Sequence, residues 1–214
     1  MTAARLYRGA AGLVTLAALG VQYALLVDRM NGDIGAATLR FFTYFTLLSN
    51  IIGAAAFVFP ALAPRSAPGG FFERPALRTA ATLYLLVVGA VYHTILASRW
   101  DPQGWQLAAD IVLHTAAPLA ILIDWLFLTP KRGLKLSMTP PALLFPLAFG
   151  LWVLALGAAN GFYPYPFLDV TALGYPQVAF NLAVLFAMFA GLCAGMVAAG
   201  RCLPGAAQQS RDDR

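Results

Sequence analysis

The sequence predicts an all-α fold: a polytopic membrane protein, built as a six-helix transmembrane bundle with both termini cytoplasmic. Three observations predict it. Hydrophobic residues make up 60% of the 214 residues and charged residues only 11%, against roughly 45–50% and 25% in soluble domains. Six apolar stretches each approach the roughly 20 residues a helix needs to cross a bilayer. Finally, 11 of the 14 Lys and Arg residues fall in alternate segments between those stretches. A water-soluble globule of this length could not hide so much apolar surface, and the same composition excludes a disordered, collagenous or disulfide-scaffold chain. The net charge of +5 therefore reads as membrane topology, with no nucleic-acid partner.

The first span covers about residues 8–27, behind Arg5 and Arg8. Its apolar run is too long for a signal peptide and no small-x-small cleavage site follows, so it is read as a retained helix. Asn31-Gly32 closes it. The second span, about 39–59, ends before Pro64 and the Pro68-Gly69-Gly70 breaker. The third, about 77–97, and the fourth, about 107–128, are separated by Pro102. The fifth, about 141–159, opens at Pro140-Pro141. The sixth, about 176–199, follows an aromatic segment (residues 162–167) suited to a membrane interface. Short intervals make residues 1–200 a single domain, and 201–214 is expected to be a disordered cytoplasmic tail.

Arg29, Arg40 and Arg99 are the three basic residues on the sparse side, which puts both termini inside. Twelve arginines against two lysines suggest a GC-rich, bacterial genome and hence a bacterial plasma membrane. Cys193 and Cys202, nine residues apart on a helix, would lie roughly 13 Å apart, too far to bridge.

Polar side chains inside a span are costly and mark interior sites. Counted at about 1.5 Å per residue, Thr43, Thr46 and Asn50 form one stripe on the second span, with the two threonines about 6 and 10 Å deep. On this reckoning His93, Asp110 and His114 lie about 4–10 Å below the same outer surface, with Gln22 and Asn181 at similar depth. Taken singly, each has a structural explanation: a threonine bonding its own carbonyl, an asparagine bonding a neighbouring helix, an aspartate at a helix start. Asp124, beside Trp125, reads as interfacial. Taken together, a hydroxyl, an imidazole and a carboxylate at one depth suit a nucleophile, a base and an orienting group.

The run Phe41-Phe42-Thr43-Tyr44-Phe45-Thr46-Leu47-Leu48-Ser49-Asn50 resembles the second helix of a bacterial family of predicted six-span membrane proteins. Leu113-His114-Thr115-Ala116-Ala117-Pro118, followed by Asp124-Trp125, resembles its fourth. The same order of helices, with the His-Thr pair and Tyr165-Pro166-Phe167-Leu168, resembles the androgen-induced gene one and androgen-dependent TFPI-regulating proteins. The resemblance implies an intramembrane hydrolase of fatty acid esters of hydroxy fatty acids, with its threonine nucleophile at Thr43 and its histidine at His114. Two positions depart from the eukaryotic pattern: Thr46 stands where that motif is acidic, and Pro118 follows the histidine one position early.

The expected site is then catalytic Thr43, His114 and Asp110, with Thr46, Asn50, Tyr92, His93, Gln22 and Asn181 toward the substrate. A backbone amide, Tyr84, Tyr92, Asn50 or Gln22 would hold the oxyanion. The expected partners are the bilayer and a lipid or fatty acid ester, and no cofactor or metal is expected. A haem held by His93 and His114, a zinc site completed by Asp110, and a non-enzymatic membrane protein, either a transporter using Asp110 and Asp124 or a structural protein, are the competing readings. No span contains a lysine, which excludes a retinal Schiff base.

Overall fold

The computed structural model describes residues 2–131 and 133–203. The tail expected beyond residue 200 lies outside the described residues from Pro204 onward. The described residues are mostly helical, with no strand among them. Six helical stretches are long and apolar enough to cross a membrane: Ala3–Arg29, Phe45–Leu62, Pro75–Arg99, Gly104–Leu128, Leu136–Asn160 and Val170–Cys202.

The chain divides into two compact units. The first comprises residues 1–134 with the segment from Ala199, and the second runs Lys135–Ala198. In the first, α1 (Ala3–Arg29) lies along α3 (Phe45–Leu62). Small residues permit the approach. A Cβ at Gly12 would stand 2.6 Å from Val58 Cγ2 and 3.0 Å from Phe57 Cβ, and membrane helices pack closest where side chains are smallest. Gly12→Leu is therefore expected to push α1 off α3 and cost about 1–3 kcal/mol of stability, read as a lower melting temperature in detergent. Unchanged melting would contradict this packing.

The second span begins later than the sequence suggests. A short α2 (Ile34–Phe41) precedes it, capped by Asp33, whose carboxylate accepts from the Ala36 N–H at 2.9 Å. α2 ends because Thr43 captures the Arg40 carbonyl twice, with its N–H at 3.1 Å and its hydroxyl at 2.6 Å. That local bond replaces the helical one. Thr43 consequently sits in a turn ahead of α3, not on a continuous stripe with Thr46 and Asn50.

A short α4 (Ala67–Phe72) leads to α5 (Pro75–Val91), which continues as a π-turn (Tyr92–Leu96) and a 3₁₀ turn (Ala97–Arg99). The fourth span is likewise interrupted. α6 (Gly104–Ile111) passes through a π-turn (Val112–Ala116) into α7 (Ala117–Ile123) and a second π-turn (Asp124–Leu128). Such bulges re-aim side chains and gather at functional sites. Leu19, Leu26, Phe41, Leu47 and Leu113 form one apolar core of this unit, and Phe57, Ala81, Leu85 and Ile121 another.

In the second unit, α8 (Thr139–Asn160) stops at Gly161, whose left-handed φ of 72° lets its N–H return to the Gly157 carbonyl at 2.8 Å. α9 (Val170–Cys202) breaks at Gly174, where φ 76° and ψ 157° are open only to glycine. The expected start near residue 176 thus marks the true helix, and the first turn before it is held by Asp169. That carboxylate accepts from the Thr171 hydroxyl and from the N–H groups of Thr171 and Ala172. These bonds, the hydroxyl's foremost, hold it below the usual carboxylate range.

A buried polar cluster lies at the N-terminal end of α1. Asp124, read from the sequence as interfacial, is 1% exposed and lies between two buried arginines, Arg8 and Arg78. Arg8 Nε donates to its Oδ1 at 2.6 Å, while Arg78 and the Thr129 hydroxyl donate to Oδ2. Arg8 also reaches Glu73 at 2.8 Å. Lys131, 4% exposed, spends its protons on the Leu126 and Thr129 carbonyls, and burial pushes its ammonium below the usual lysine range, partly offset by Asp124.

Candidate functional site

At the opposite end of α1's unit, one imidazole organises the polar residues. His114 sits in the π-turn between α6 and α7. Its Nδ1 faces two acceptors at once, the Asp110 carboxylate at 3.1 Å and the Asp110 carbonyl at 3.1 Å. Both are acceptors, so in the neutral ring the proton belongs on Nδ1 and Nε2 carries the lone pair. Nε2 lies 3.4 Å from the Thr46 hydroxyl. That distance is long for a hydrogen bond but within the range of an unliganded catalytic pair. Thr46, His114 and Asp110 therefore stand in the order hydroxyl, imidazole, carboxylate.

Tyr92 fixes this arrangement from α5's continuation. Its ring stacks on the imidazole, centroids 3.9 Å apart at 14°, and its hydroxyl donates to the other Asp110 oxygen at 2.5 Å. The phenol is thus engaged with the orienting carboxylate rather than held out to a substrate. Both side chains are nearly buried: Asp110 is 6% exposed and Tyr92 9%.

The remaining expected residues divide. Thr43 is 2% exposed and gives its hydroxyl proton to the Arg40 carbonyl, not to His114. Asn50 is wholly buried, and both its amide protons go to backbone carbonyls, those of Thr46 (2.9 Å) and Leu113 (3.0 Å). Gln22 accepts from Gln106 at 2.7 Å, and Gln106 in turn accepts from Arg29 at 3.0 Å. This polar chain lies one turn beyond Asp110 on α6. Exposed His93 bonds Thr115 at 3.0 Å. Asn181 belongs to the second unit, where it donates to the Phe167 carbonyl at 2.8 Å and accepts from Gln177 at 3.0 Å. Sequence reasoning missed Gln106 and gave Thr46 a lesser place than Thr43. The i, i+4 spacing of Gln106 and Asp110 on one helix face was the available signal.

The geometry bears on the haem and metal alternatives. The two histidines direct their Nε2 atoms to different threonines, Thr46 and Thr115. Among the described residues no three His, Cys, Asp or Glu side chains gather closely enough to hold a metal ion.

Comparison with known proteins adds the lineage. The family model of FAR-17a/AIG1-like proteins matches residues 82–199, more than half of the chain. The matched stretch contains Tyr92, His93, Asp110, His114 and Asn181 and leaves out the two threonines and Asn50. No curated protein and no solved structure matches the chain. With its six apolar helices and this match, the chain belongs to the FAR-17a/AIG1-like (androgen-induced gene 1) family of membrane proteins.

Proposed function

We propose that this protein hydrolyses lipid esters within the membrane, using a threonine hydroxyl activated by His114. The observation that carries the reading is the alignment of Thr46 Oγ1, His114 Nε2, His114 Nδ1 and Asp110 at 3.4 and 3.1 Å. A threonine hydroxyl is a weak nucleophile unless a base takes its proton during attack. Here Nε2 takes the proton as Oγ1 adds to the ester carbonyl. Asp110 holds the ring and stabilises the imidazolium. The proton then passes to the departing alkoxide, and the same base activates water to release the acid. The stacked Tyr92 ring adds a favourable face for the transient cation.

Asn50 and Tyr92 have committed their donors elsewhere, and the first turn of α3 offers backbone N–H groups to the oxyanion. N–H groups there point back along the helix axis, Thr46's own among them. The substrate is a long-chain ester, such as a fatty acid ester of a hydroxy fatty acid, entering laterally from the lipid. The skewed arginine content and the basic-residue count support a bacterial plasma membrane with both termini inside.

A second reading keeps Thr43 as the nucleophile. Its near-complete burial and its place in the family-like motif favour it, and it requires the hydroxyl to release the Arg40 carbonyl. Turnover of such an ester by purified protein separates the two. Thr46→Ala is expected to abolish turnover, whereas Thr43→Ala retains a measurable fraction. The reverse pattern would establish Thr43, and full activity in both would remove the nucleophile altogether.

A further inference from the structure

The fourth span contains a backbone defect that a side chain on α3 repairs. In the π-turn of His114, the Ala117 N–H returns to the Val112 carbonyl. The next bond in that pattern would run from residue 118 to the Leu113 carbonyl, but residue 118 is proline and has no N–H. A buried carbonyl left without a donor is strongly disfavoured. Asn50 supplies the donor: its Nδ2 reaches Leu113 O at 3.0 Å. The second proton of the same amide reaches Thr46 O at 2.9 Å. One amide group thus grips the backbone of the residue before His114 and the backbone of Thr46 itself.

Gly89 makes room for this bulge. A Cβ there would lie 3.3 Å from the His114 carbonyl and 3.5 Å from Pro118 Cβ. The amide orientation is also fixed, because both partners of Nδ2 are acceptors.

We propose that Asn50 is a positioning residue that sets the separation of the Thr46 hydroxyl and the His114 imidazole, acting through their backbones rather than on substrate. This rests on the Thr46–His114 reading above. Both amide protons of Asn50 are taken by backbone carbonyls. This pairing also explains why a proline can stand one turn after the base: the missing N–H hands the Leu113 carbonyl to α3 and so ties the two helices together at the dyad.

The test uses ¹⁵N-histidine-labelled full-length protein in detergent. The chain has two histidines, assigned with a His93→Gln variant. Asn50→Ala is expected to displace the His114 ring-nitrogen signals. It should also lower kcat about tenfold or more with KM nearly unchanged, because substrate contacts are untouched. Restoring an N–H at residue 118, in Asn50→Ala/Pro118→Ala, should return the signals and part of kcat. Should Asn50→Ala not fold, Asn50→Ser keeps a donor for the Thr46 carbonyl and loses reach to Leu113, and it must show the same displacement. His114 signals that superimpose on wild type in a folded Asn50 variant, or a change confined to KM, would overturn the proposal. The imidazole readout needs no turnover: an inactive wild type defeats the hydrolase reading, while the displacement still decides whether Asn50 positions the ring.

Discussion

Asp124→Ala is expected to destabilise the first unit by about 3–5 kcal/mol, as is found when one partner of a buried ion pair is removed. The reason lies in what remains. Arg8 and Arg78, 6% and 2% exposed, both direct guanidinium N–H groups at this one carboxylate, and Thr129 donates to it as well. Removing it strands two buried cations. Arg78 retains the Ala56 carbonyl at 3.0 Å, and Arg8 retains Glu73. Those neutral or half-exposed partners do not replace a shared buried anion. By the size scaling of thermal unfolding, the melting temperature in detergent falls by roughly 10 °C. Asp124→Asn keeps the shape and loses the charge, so it should fall between wild type and alanine. A melting curve for Asp124→Ala that superimposes on wild type would contradict the network. The cluster stands at the far end of α1 from His114, so ester turnover per folded molecule should change little.

The second large effect is on chemistry. His114→Ala removes the base and is expected to lower kcat by about 10²–10⁴-fold or more, with folding intact. Asp110→Asn keeps a side chain of the same shape but turns an acceptor toward a possible donor. It should also lower kcat about 10²–10⁴-fold by disturbing the Nδ1 tautomer. Because hydroxyl, ring and carboxylate act as one unit, Thr46→Ala/His114→Ala should be no worse than either single change. Tyr92→Phe separates stacking from hydrogen bonding: it keeps the ring over the imidazole, loses the bond to Asp110, and is expected to cost less than Asp110→Asn. Full kcat in folded His114→Ala would end the mechanism.

Much of this was legible in the sequence. Hydropathy alone locates all six spans, since a bilayer imposes their length and composition. Asp110 and His114 were readable as an i, i+4 pair. The errors have local physical causes. Thr43 and Thr46 looked like neighbours on one helix because periodicity assumes an unbroken backbone; a 2.6 Å hydroxyl-to-carbonyl bond breaks it between them. The π-turns around Tyr92, His114 and Asp124 each shift the helical phase, so depth and facing could not be counted through them. Arg8, Arg78 and Lys131 entered the orientation count by charge alone, as three of the 11 basic residues on the cytoplasmic side. Composition records their sign but not their buried pairing with Asp124 and backbone carbonyls. Asn50 was visible as a polar residue in a span, but its partner carbonyl exists only because Pro118, 68 residues later, lacks an N–H.

The central claim is that His114 activates the Thr46 hydroxyl. Its most direct test is the position of a covalent adduct. A long-chain fluorophosphonate phosphonylates an activated hydroxyl and expels fluoride, and cleavage after arginine places both threonines in one peptide, residues 41–65. Fragment-ion mass spectrometry then separates Thr43 from Thr46. The account predicts an adduct on Thr46 in wild type that disappears in His114→Ala. An adduct on Thr43 would contradict Thr46 as the attacking group, and an unlabelled wild-type peptide, or labelling undiminished in His114→Ala, would contradict activation by His114.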